Sequence, residues 1–129
     1  MSVPESLVKQ KYINLTTFRK NGKAVPTPVW FVIQDDKLYV YTYSTSGKAK
    51  RIRATGKAQI APSDWRGNPL AAFVPARARV LPLDDPIWEK INLLYAKKYG
   101  LMYHIFQWAE RMRKNPQDQH VILELILDK

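Results

Sequence analysis

The strongest constraint on the fold of this chain is a series of short strand-like segments separated by turn signals. Tyr12–Phe18 alternates polar and apolar residues, and Asn21-Gly22 supplies the left-handed conformations of a tight hairpin turn. Asp35-Asp36 marks a second turn, before the tyrosine- and valine-rich segment Lys37–Tyr43. Consecutive hairpins of this kind favour an antiparallel sheet that closes, or nearly closes, into a barrel.

The complete pattern predicts a mainly β fold with added helices. Six strands are expected, at Tyr12–Phe18, Val29–Gln34, Lys37–Tyr43, Lys57–Ala61, Ala71–Leu81 and Gln119–Leu127. One short and two longer helices are expected, at Gly47–Thr55, from Asp84-Asp85-Pro86 to Gly100, and at Leu101–Lys114. The spacing of the last helix places Leu101, Ile105, Ala109 and Met112 on one apolar face. We expect it to pack on the barrel or to roof a cleft, with a membrane-surface position as the alternative.

Prolines and one acidic residue refine the strand predictions. Pro26 and Pro28 delay the second strand, Pro62 stops the fourth, and Pro75 marks an edge or a bulge. The last strand is apolar on both faces except at Glu124, which is typical of a central strand. We therefore expect Glu124 to be buried and paired with an arginine, either within the chain or across a dimer.

Composition narrows the class of protein. The chain has 129 residues without repeats or a linker-like break, which predicts a single domain over residues 1–129. The absence of cysteine excludes a disulfide scaffold, a cysteine nucleophile and a cysteine-bearing metal site, and two histidines are too few for a three-histidine site. No apolar run reaches the roughly 18 residues of a membrane span, and no signal peptide is evident. We expect a cytoplasmic protein without a membrane partner.

Positive charge is concentrated in one part of the chain. The 21 basic and 11 acidic residues give a net charge of +10. No acidic residue lies between Asp36 and Asp64, an interval that holds Lys37, Lys48, Lys50, Arg51, Arg53 and Lys57. A field of this sign attracts anions such as nucleic acid, anionic lipid headgroups or phosphorylated small molecules.

The segment Tyr41–Arg53 carries the chemistry. A strand leads into a turn rich in hydroxyl groups and then into a short helix with four positive charges. A helix N-terminus presents backbone N–H groups and the positive end of its dipole to an anion. Lys48 and Arg51 are three residues apart and share a helix face. The hydroxyl donors available beside them are Thr42, Ser44, Thr45 and Ser46. This arrangement predicts a phosphate site, with a solvated basic helix as the alternative.

An ordered set of segments resembles a known family. The set comprises the Asn-Gly hairpin, Thr27-Pro-Val-Trp30, Leu38-Tyr-Val-Tyr-Thr42, Gly47-Lys-Ala-Lys-Arg-Ile-Arg53, Ala61-Pro62, Asp64-Trp-Arg-Gly-Asn-Pro69 and Ala76-Arg-Ala-Arg-Val-Leu81. Over residues 8–128 the chain is similar to the pyridoxamine-phosphate-oxidase-like split-barrel flavoproteins, most of all to the branch described as probable deazaflavin (coenzyme F420)-dependent oxidoreductases. The resemblance implies a six-stranded FMN-binding split barrel that forms a homodimer, with one cofactor in each of two clefts at the subunit interface.

The resemblance also implies which residues hold the cofactor, either FMN or coenzyme F420. By position, Thr42 is a hydroxyl donor, Lys48 is the phosphate lysine, and Lys50 and Arg51 are supporting cations, beside the candidate hydroxyl of Ser44. The segment Thr27, Pro28, Val29, Trp30 matches the strand whose backbone meets the isoalloxazine edge, and Ala61 with Pro62 matches the strand end near the ring. Among the four tryptophans, Trp30 and Trp65 are the better candidates for stacking on that ring. The oxidase itself has a basic pair at the positions of Gly47 and Lys48, so the glycine here argues against oxidation of pyridoxamine phosphate.

The expected function is hydride transfer between a flavin-type cofactor and an unidentified small molecule. The sequence holds no motif for a protein nucleophile or an acid–base pair, so we assign no catalytic residue. One alternative is a flavin-binding module without turnover. Another is a basic small barrel that binds nucleic acid, suggested by the charge and by Tyr39, Tyr41 and Tyr43. Packing on one strand face explains these tyrosines equally well, so nucleic acid is not the expected partner.

Overall fold

The computed structural model describes residues 5–113 and 119–128, and these residues form seven strands and four helices. The strands are β1 Tyr12–Phe18, β2 Ala24–Trp30, β3 Val32–Gln34, β4 Lys37–Tyr43, β5 Lys57–Ser63, β6 Val74–Pro82 and β7 His120–Leu127. The helices are α1 Glu5–Val8, α2 Gly47–Thr55, α3 Ile87–Tyr99 and α4 Leu101–Arg113. The strands form one sheet in the order β2-β1-β5-β6-β7-β4-β3, and every neighbouring pair is antiparallel. The predicted mainly β, antiparallel class is confirmed.

The sheet curls into a barrel that is split along one side. Its two edge strands, β2 and β3, are consecutive in the chain, and Phe31 alone lies between them. Because neighbouring Cα atoms are about 3.8 Å apart, one connecting residue holds the two edges within a few ångströms of each other. The predicted split barrel is therefore confirmed.

The predicted number of strands is wrong by one. The segment Val29–Gln34 was expected to form one strand, but it divides at Phe31. Residues before Phe31 pair with β1, whereas Val32–Gln34 pairs with β4. The turn expected at Asp35-Asp36 is present, with left-handed φ angles of 52° and 61°.

Two proline predictions are also wrong. Pro26 and Pro28 lie inside β2, which begins at Ala24. An edge strand has one side without a ladder partner, so prolines two residues apart can both turn their missing N–H to that open side. Pro62 likewise lies inside β5, which runs to Ser63, beyond the last residue that pairs with β6, Ile60. Pro75 is the second residue of β6 and lies before Ala76, where the pairing of β6 with β7 starts.

Alternate residues of the strands supply two apolar clusters. One fills the barrel and includes Ile13, Leu15, Val29, Phe31, Leu38, Val40, Ile60, Leu123 and Leu125. The other lies between the outer face of the sheet and the two long helices, and contains Val32, Tyr39, Leu81, Ile91, Tyr95, Tyr99, Tyr103 and Ile122. Burial of this second cluster fixes α3 and α4 beside the split.

The position of β7 and the environment of Glu124 agree with expectation. β7 lies between β6 and β4, so it is a central strand. Glu124 is buried, and the Arg79 Nε donates to its Oε1 at 2.6 Å within the same chain. The Tyr39 hydroxyl donates to Glu124 Oε2 at 3.0 Å. These two donors satisfy a carboxylate that would otherwise be costly to bury.

Helix α4 is oriented differently from the sequence-based expectation. Leu101, Ile105 and Met112 were expected to pack on the barrel, but their side chains are exposed. The helix instead buries Tyr103, whose ring stacks on Tyr95 with centroids 5.5 Å apart. The polar tip of Tyr103 hydrogen-bonds to Asn92, so an aromatic ring with a satisfied hydroxyl takes the inward place. The last residue of the predicted helix, Lys114, is outside the described residues.

Candidate functional site

A cavity of about 150 Å³ lies at the split of the barrel. Its lining comes from the end of β2, from β4, from α2 and from the two long helices, and consists of Val29, Trp30, Tyr41, Thr42, Lys48, Tyr95, Tyr103 and Phe106. β3 pairs with β4 only as far as Tyr39. The rest of β4 therefore has an open edge on the side of the split, and the cavity forms there.

Tyr95 bridges the split beside this cavity. Its hydroxyl accepts a hydrogen bond from the Tyr41 N–H at 3.0 Å and lies 3.1 Å from the Trp30 carbonyl oxygen, to which it can donate. One side chain thus satisfies backbone groups on β4 and β2 where no strand pairs them. Desolvation of the buried ring raises the Tyr95 pKa well above its ordinary value, so the hydroxyl keeps its proton.

The next residue along the split is held in the same way. The Phe31 N–H donates to the hydroxyl of Tyr99 at 3.0 Å, and the Lys98 ammonium donates to the Phe31 carbonyl oxygen at 2.9 Å. Tyr99 also stacks on Trp30, with ring centroids 4.4 Å apart and planes 12° apart. One face of the Trp30 indole is therefore occupied by protein.

Lys48 brings a positive charge to the cavity. It lies in the first turn of α2, where Ser46 caps the helix by accepting from the Ala49 N–H at 3.2 Å. Burial, and secondly the charge of Arg51, lower the Lys48 pKa below its usual value. Among the described residues, no carboxylate forms an ion pair with Lys48. A half-buried cation without a counter-charge is suited to bind an anion.

Arg51 lies beside Lys48 in a fixed position. Its Nε donates to the Thr17 hydroxyl at 2.6 Å, and its Nη1 is 2.6 Å from the place where a Cβ on residue 47 would be. Only glycine at position 47 leaves room for this guanidinium. Burial and the neighbouring charge of Arg19 lower the Arg51 pKa, yet an arginine remains charged at any physiological pH.

The structure separates the remaining phosphate candidates. Thr42 is buried and lines the cavity. Ser44 is engaged by Arg53, which donates to the Ser44 carbonyl oxygen at 2.8 Å and to its hydroxyl oxygen at 2.7 Å. Arg53 therefore holds the turn before α2. Lys50 is exposed and does not line the cavity.

The other predicted cofactor residues lie in β2, in β5 and in the loop after β5. Thr27 pairs with Leu15, whereas Pro28 and Ala61 flank Asn14 on its two sides. Pro62 follows Ala61 in β5, and its carbonyl accepts from the Leu70 N–H at 2.7 Å. The Trp65 side chain is exposed in the loop after β5, with the Arg66 guanidinium 4.8 Å from its ring centroid. None of these five residues lines the cavity.

Sequence reasoning missed the aromatic wall of the cavity. Tyr95, Tyr103 and Phe106 lie in the two longer predicted helices, but none of them is among the predicted site residues. The available signal is the recurrence of tyrosine every four residues at 95, 99 and 103. Tyr95 and Tyr99 share one face of α3, and the break at Gly100 brings the Tyr103 ring back onto Tyr95.

Comparison with known sequences identifies the family. The profile described as pyridoxamine 5'-phosphate oxidase matches residues 3–126. The chain belongs to the pyridoxamine 5'-phosphate oxidase family. No curated protein sequence matches it. Membership in this family confirms the resemblance seen in the sequence. It does not assign a reaction, because proteins that share a fold can have different functions.

Solved structures support the same fold. A heme storage protein of Vibrio cholerae has a TM-score of 0.70 at 12% identity, over 94% of this chain and 84% of the other. An F420 reductase has a TM-score of 0.62 at 20% identity, over 98% and 97%. An FMN-binding protein of Nostoc punctiforme, related to pyridoxamine 5'-phosphate oxidase, has a TM-score of 0.57 at 18% identity, over 95% and 73%. At these identities the likeness shows the split-barrel fold.

Residues 5–113 and 119–128 contain no group of three acidic, histidine or cysteine side chains placed to hold a metal ion. In the same ranges, no helix has the length and apolar character needed to cross a membrane.

Proposed function

We propose that this protein is an oxidoreductase that binds FMN or coenzyme F420 at the split of the barrel, with Lys48 as the principal ligand of the cofactor phosphate. The observation that supports this most is the half-buried ammonium of Lys48, which lines the cavity without a carboxylate partner among the described residues. Thr42 adds a hydroxyl from the end of β4, and Arg51 adds a second cation from the same helix face.

The residues present fit a phosphorylated flavin-type group. The N–H groups of Gly47 and Lys48 have no partner within α2, as at every helix N-terminus, and they add to the cations there. The names of similar structures include an FMN-binding protein and an F420 reductase, which supports the same class of ligand. A cofactor without an anionic group would leave these cations without a counter-charge.

The size of the cavity supports a site shared by two copies of the chain. Its 150 Å³ is well below the roughly 300–1,000 Å³ of a pocket for a drug-sized ligand, so the ring system must extend beyond it. The loop after β5 exposes Trp65, Leu70 and Phe73. We propose that these side chains form part of a homodimer interface and that the partner copy completes each cofactor cleft.

The residues of the chain would bind the cofactor, orient it and shield it from water. The cofactor supplies the hydride chemistry when bound. Val29, Trp30 and Phe106 exclude water from the cavity, while Tyr41, Tyr95 and Tyr103 are held neutral, since burial raises each pKa. Neutral phenols can donate hydrogen bonds and cannot accept a proton at neutral pH. No described residue of the lining is therefore assigned as a general base, and the substrate is a small molecule of unidentified class.

Titration with each cofactor tests this proposal. FMN and coenzyme F420 are added separately to the purified protein, and fluorescence and the visible spectrum are followed. We expect saturable binding of one of them at about one per chain. The double variant Lys48→Ala with Arg51→Ala should lose roughly 1.5–3 kcal/mol for each charge-assisted hydrogen bond removed. The control is Lys90→Ala, an exposed lysine on α3. Unchanged affinity in the double variant would refute the phosphate assignment.

Self-association needs a separate measurement. Sedimentation equilibrium of the wild-type chain should give a dimer, and Trp65→Ser combined with Leu70→Ser should shift it toward monomer. Weaker cofactor binding in that variant, at protein concentrations where it is monomeric, would support a shared cleft. A wild-type monomer that binds cofactor at full stoichiometry would contradict it.

A flavin-binding protein without turnover is the second candidate. The similarity to a heme storage protein shows that this fold also occurs in a protein named for storing its ligand. Steady-state reduction assays across electron acceptors distinguish the two, because a storage protein would bind the cofactor and show no acceptor-dependent turnover.

A further inference from the structure

We propose that the outward face of α4 attaches this protein to the surface of an anionic lipid bilayer. We define that face by its large exposed apolar side chains, Leu101, Met102, Ile105, Trp108 and Met112. This inference is independent of the proposed cofactor, since it concerns the side of α4 that turns away from the cavity.

The apolar character of this face is continuous. Positions 101, 105, 108 and 112 recur at the three- and four-residue spacing of one helical stripe. The opposite side of α4 already has its partners: Tyr103 is buried against Tyr95, and Phe106 lines the cavity. The side chains of the exposed stripe therefore do not contribute to the packing of α4 against the rest of the described chain. A contiguous apolar patch on a protein surface generally marks a contact with another surface.

The charge around this face favours an anionic partner. Glu110 is the one acidic residue in α4, and it turns inward, where its Oε2 lies 3.6 Å from the Nε2 of His120. The outward face thus carries no negative charge. The exposed Lys97 precedes it on α3, and the sequence of the last turn of α4 contains Arg111 and Arg113.

The charge beside this face favours a bilayer over a second copy. Two copies that met face to face here would bring the like charges of this basic region together, whereas anionic headgroups attract them. An amphipathic helix with a tryptophan, aliphatic side chains and flanking cations is the type that lies in the plane of a membrane interface. At 13 residues α4 is roughly 20 Å long, which is suited to lying on a bilayer.

Two pairs of side chains give a matched test. Trp108 and Ile105 on α4 are 64% and 56% exposed, and Trp65 and Leu70 in the loop after β5 are 65% and 58% exposed. Replacing either pair by serine removes the same kind of exposed apolar surface and leaves every charge in place. The α4 pair tests bilayer attachment, and the loop pair controls for a general loss of surface hydrophobicity.

The experiment is flotation of the full chain with vesicles. We expect retention on vesicles of phosphatidylglycerol with phosphatidylcholine, little retention on phosphatidylcholine alone, and weaker retention at high salt. At protein concentrations at which wild type and both variants are monomeric, Trp108→Ser with Ile105→Ser should lower the partition coefficient at least about tenfold, and the loop pair should leave it within about twofold. Absence of retention by wild type, or equal retention by the α4 variant, would overturn the proposal. Equal retention by the α4 variant would show that charge alone attracts the protein to the vesicles.

The oligomeric state tests the alternative that the outward face of α4 is a contact between two copies of the chain. Sedimentation equilibrium of both variants is measured without lipid. Dissociation of a dimer by the α4 pair would overturn the proposal, since the face would then be a contact between copies. Because no cofactor is present in either assay, failure here leaves the proposed function standing, and failure of cofactor binding leaves the bilayer result standing.

Discussion

The hydroxyl of Tyr95 accepts a hydrogen bond from the backbone N–H of Tyr41 across a gap that no strand pair spans. A buried backbone N–H that loses its acceptor costs about 1–3 kcal/mol. We therefore expect Tyr95→Phe to lower the free energy of unfolding by about that amount, measured by urea denaturation. The control is Tyr12→Phe, at a half-buried tyrosine for which the structure shows no side-chain hydrogen bond. Equal losses in the two variants would show that the bridge contributes nothing of its own.

The charge of Lys48 should make cofactor binding depend on pH. Burial and Arg51 lower the Lys48 pKa from its ordinary 10.5, so the ammonium loses its proton earlier than a surface lysine. Since the charged form binds the phosphate, FMN affinity should decline as pH rises through that lowered pKa. Lys48→Arg retains the charge throughout, because the arginine pKa exceeds about 12. The decline should then move to higher pH in fluorescence titrations. An identical pH profile in both proteins would exclude Lys48 as its source.

Glycine at position 47 should affect FMN affinity only because it leaves room for the Arg51 guanidinium. An alanine Cβ there would meet the Arg51 guanidinium at 2.6 Å and displace it from Thr17. The clash involves the end of a flexible side chain, so we expect little loss of stability but roughly fivefold weaker FMN binding, equivalent to about 1 kcal/mol. In the Arg51→Ala background the same substitution should have no effect, which a double-mutant cycle of affinities measures. Additive effects would contradict the proposed contact.

The buried carboxylate of Glu124 should stabilise the fold only above acid pH. Burial alone would raise its pKa, but hydrogen bonds from Arg79 and Tyr39 outweigh burial and hold the pKa below the ordinary 4.5. Glu124→Gln should cost about 1–2 kcal/mol at neutral pH. Because the folded pKa is the lower one, this contribution is complete above about pH 4.5 and is lost as pH falls through the folded value.

A second pair provides the control for Glu124. Asp128 accepts from Arg77 at 3.3 Å, but both side chains are exposed, and such pairs contribute about 0–1 kcal/mol. Thermal denaturation of Asp128→Asn should therefore show a small change. If the difference between wild type and Glu124→Gln stayed constant down to low pH, titration of Glu124 would not be its cause.

Local turn and capping signals predicted most of the fold. The hairpin at Asn21-Gly22, the turn at Asp35-Asp36 and helix α2 lie where their residue types favour them. The errors came from proline, because sequence shows that Pro26 and Pro28 lack an N–H but not that β2 is an edge strand, where none is needed. The division at Phe31 was hidden for a related reason. It depends on which distant strands meet on each side of that residue.

The candidate site was predicted in part. The helix cap and the cations three residues apart on α2 are local features, and the structure places Lys48 and Arg51 together as their spacing indicates. The contribution of Tyr95, Tyr103 and Phe106 depends on how two later helices pack against the split. Tyr103 points inward because it contacts Asn92 and Tyr95, which both lie on α3. The periodicity of α4 alone cannot reveal contacts with another helix.

The placement of β7 between β6 and β4 has a consequence for biosynthesis. Until residues 120–127 leave the ribosome, the strands already made can form only two separate sheets, β2-β1-β5-β6 and β4-β3. The facing edges of β6 and β4 then present unpaired backbone groups, the kind of surface on which nascent chains aggregate. β7 therefore joins the two halves of the barrel, and the growing chain depends on it, or on a chaperone that shields those edges, until residues 120–127 have left the ribosome.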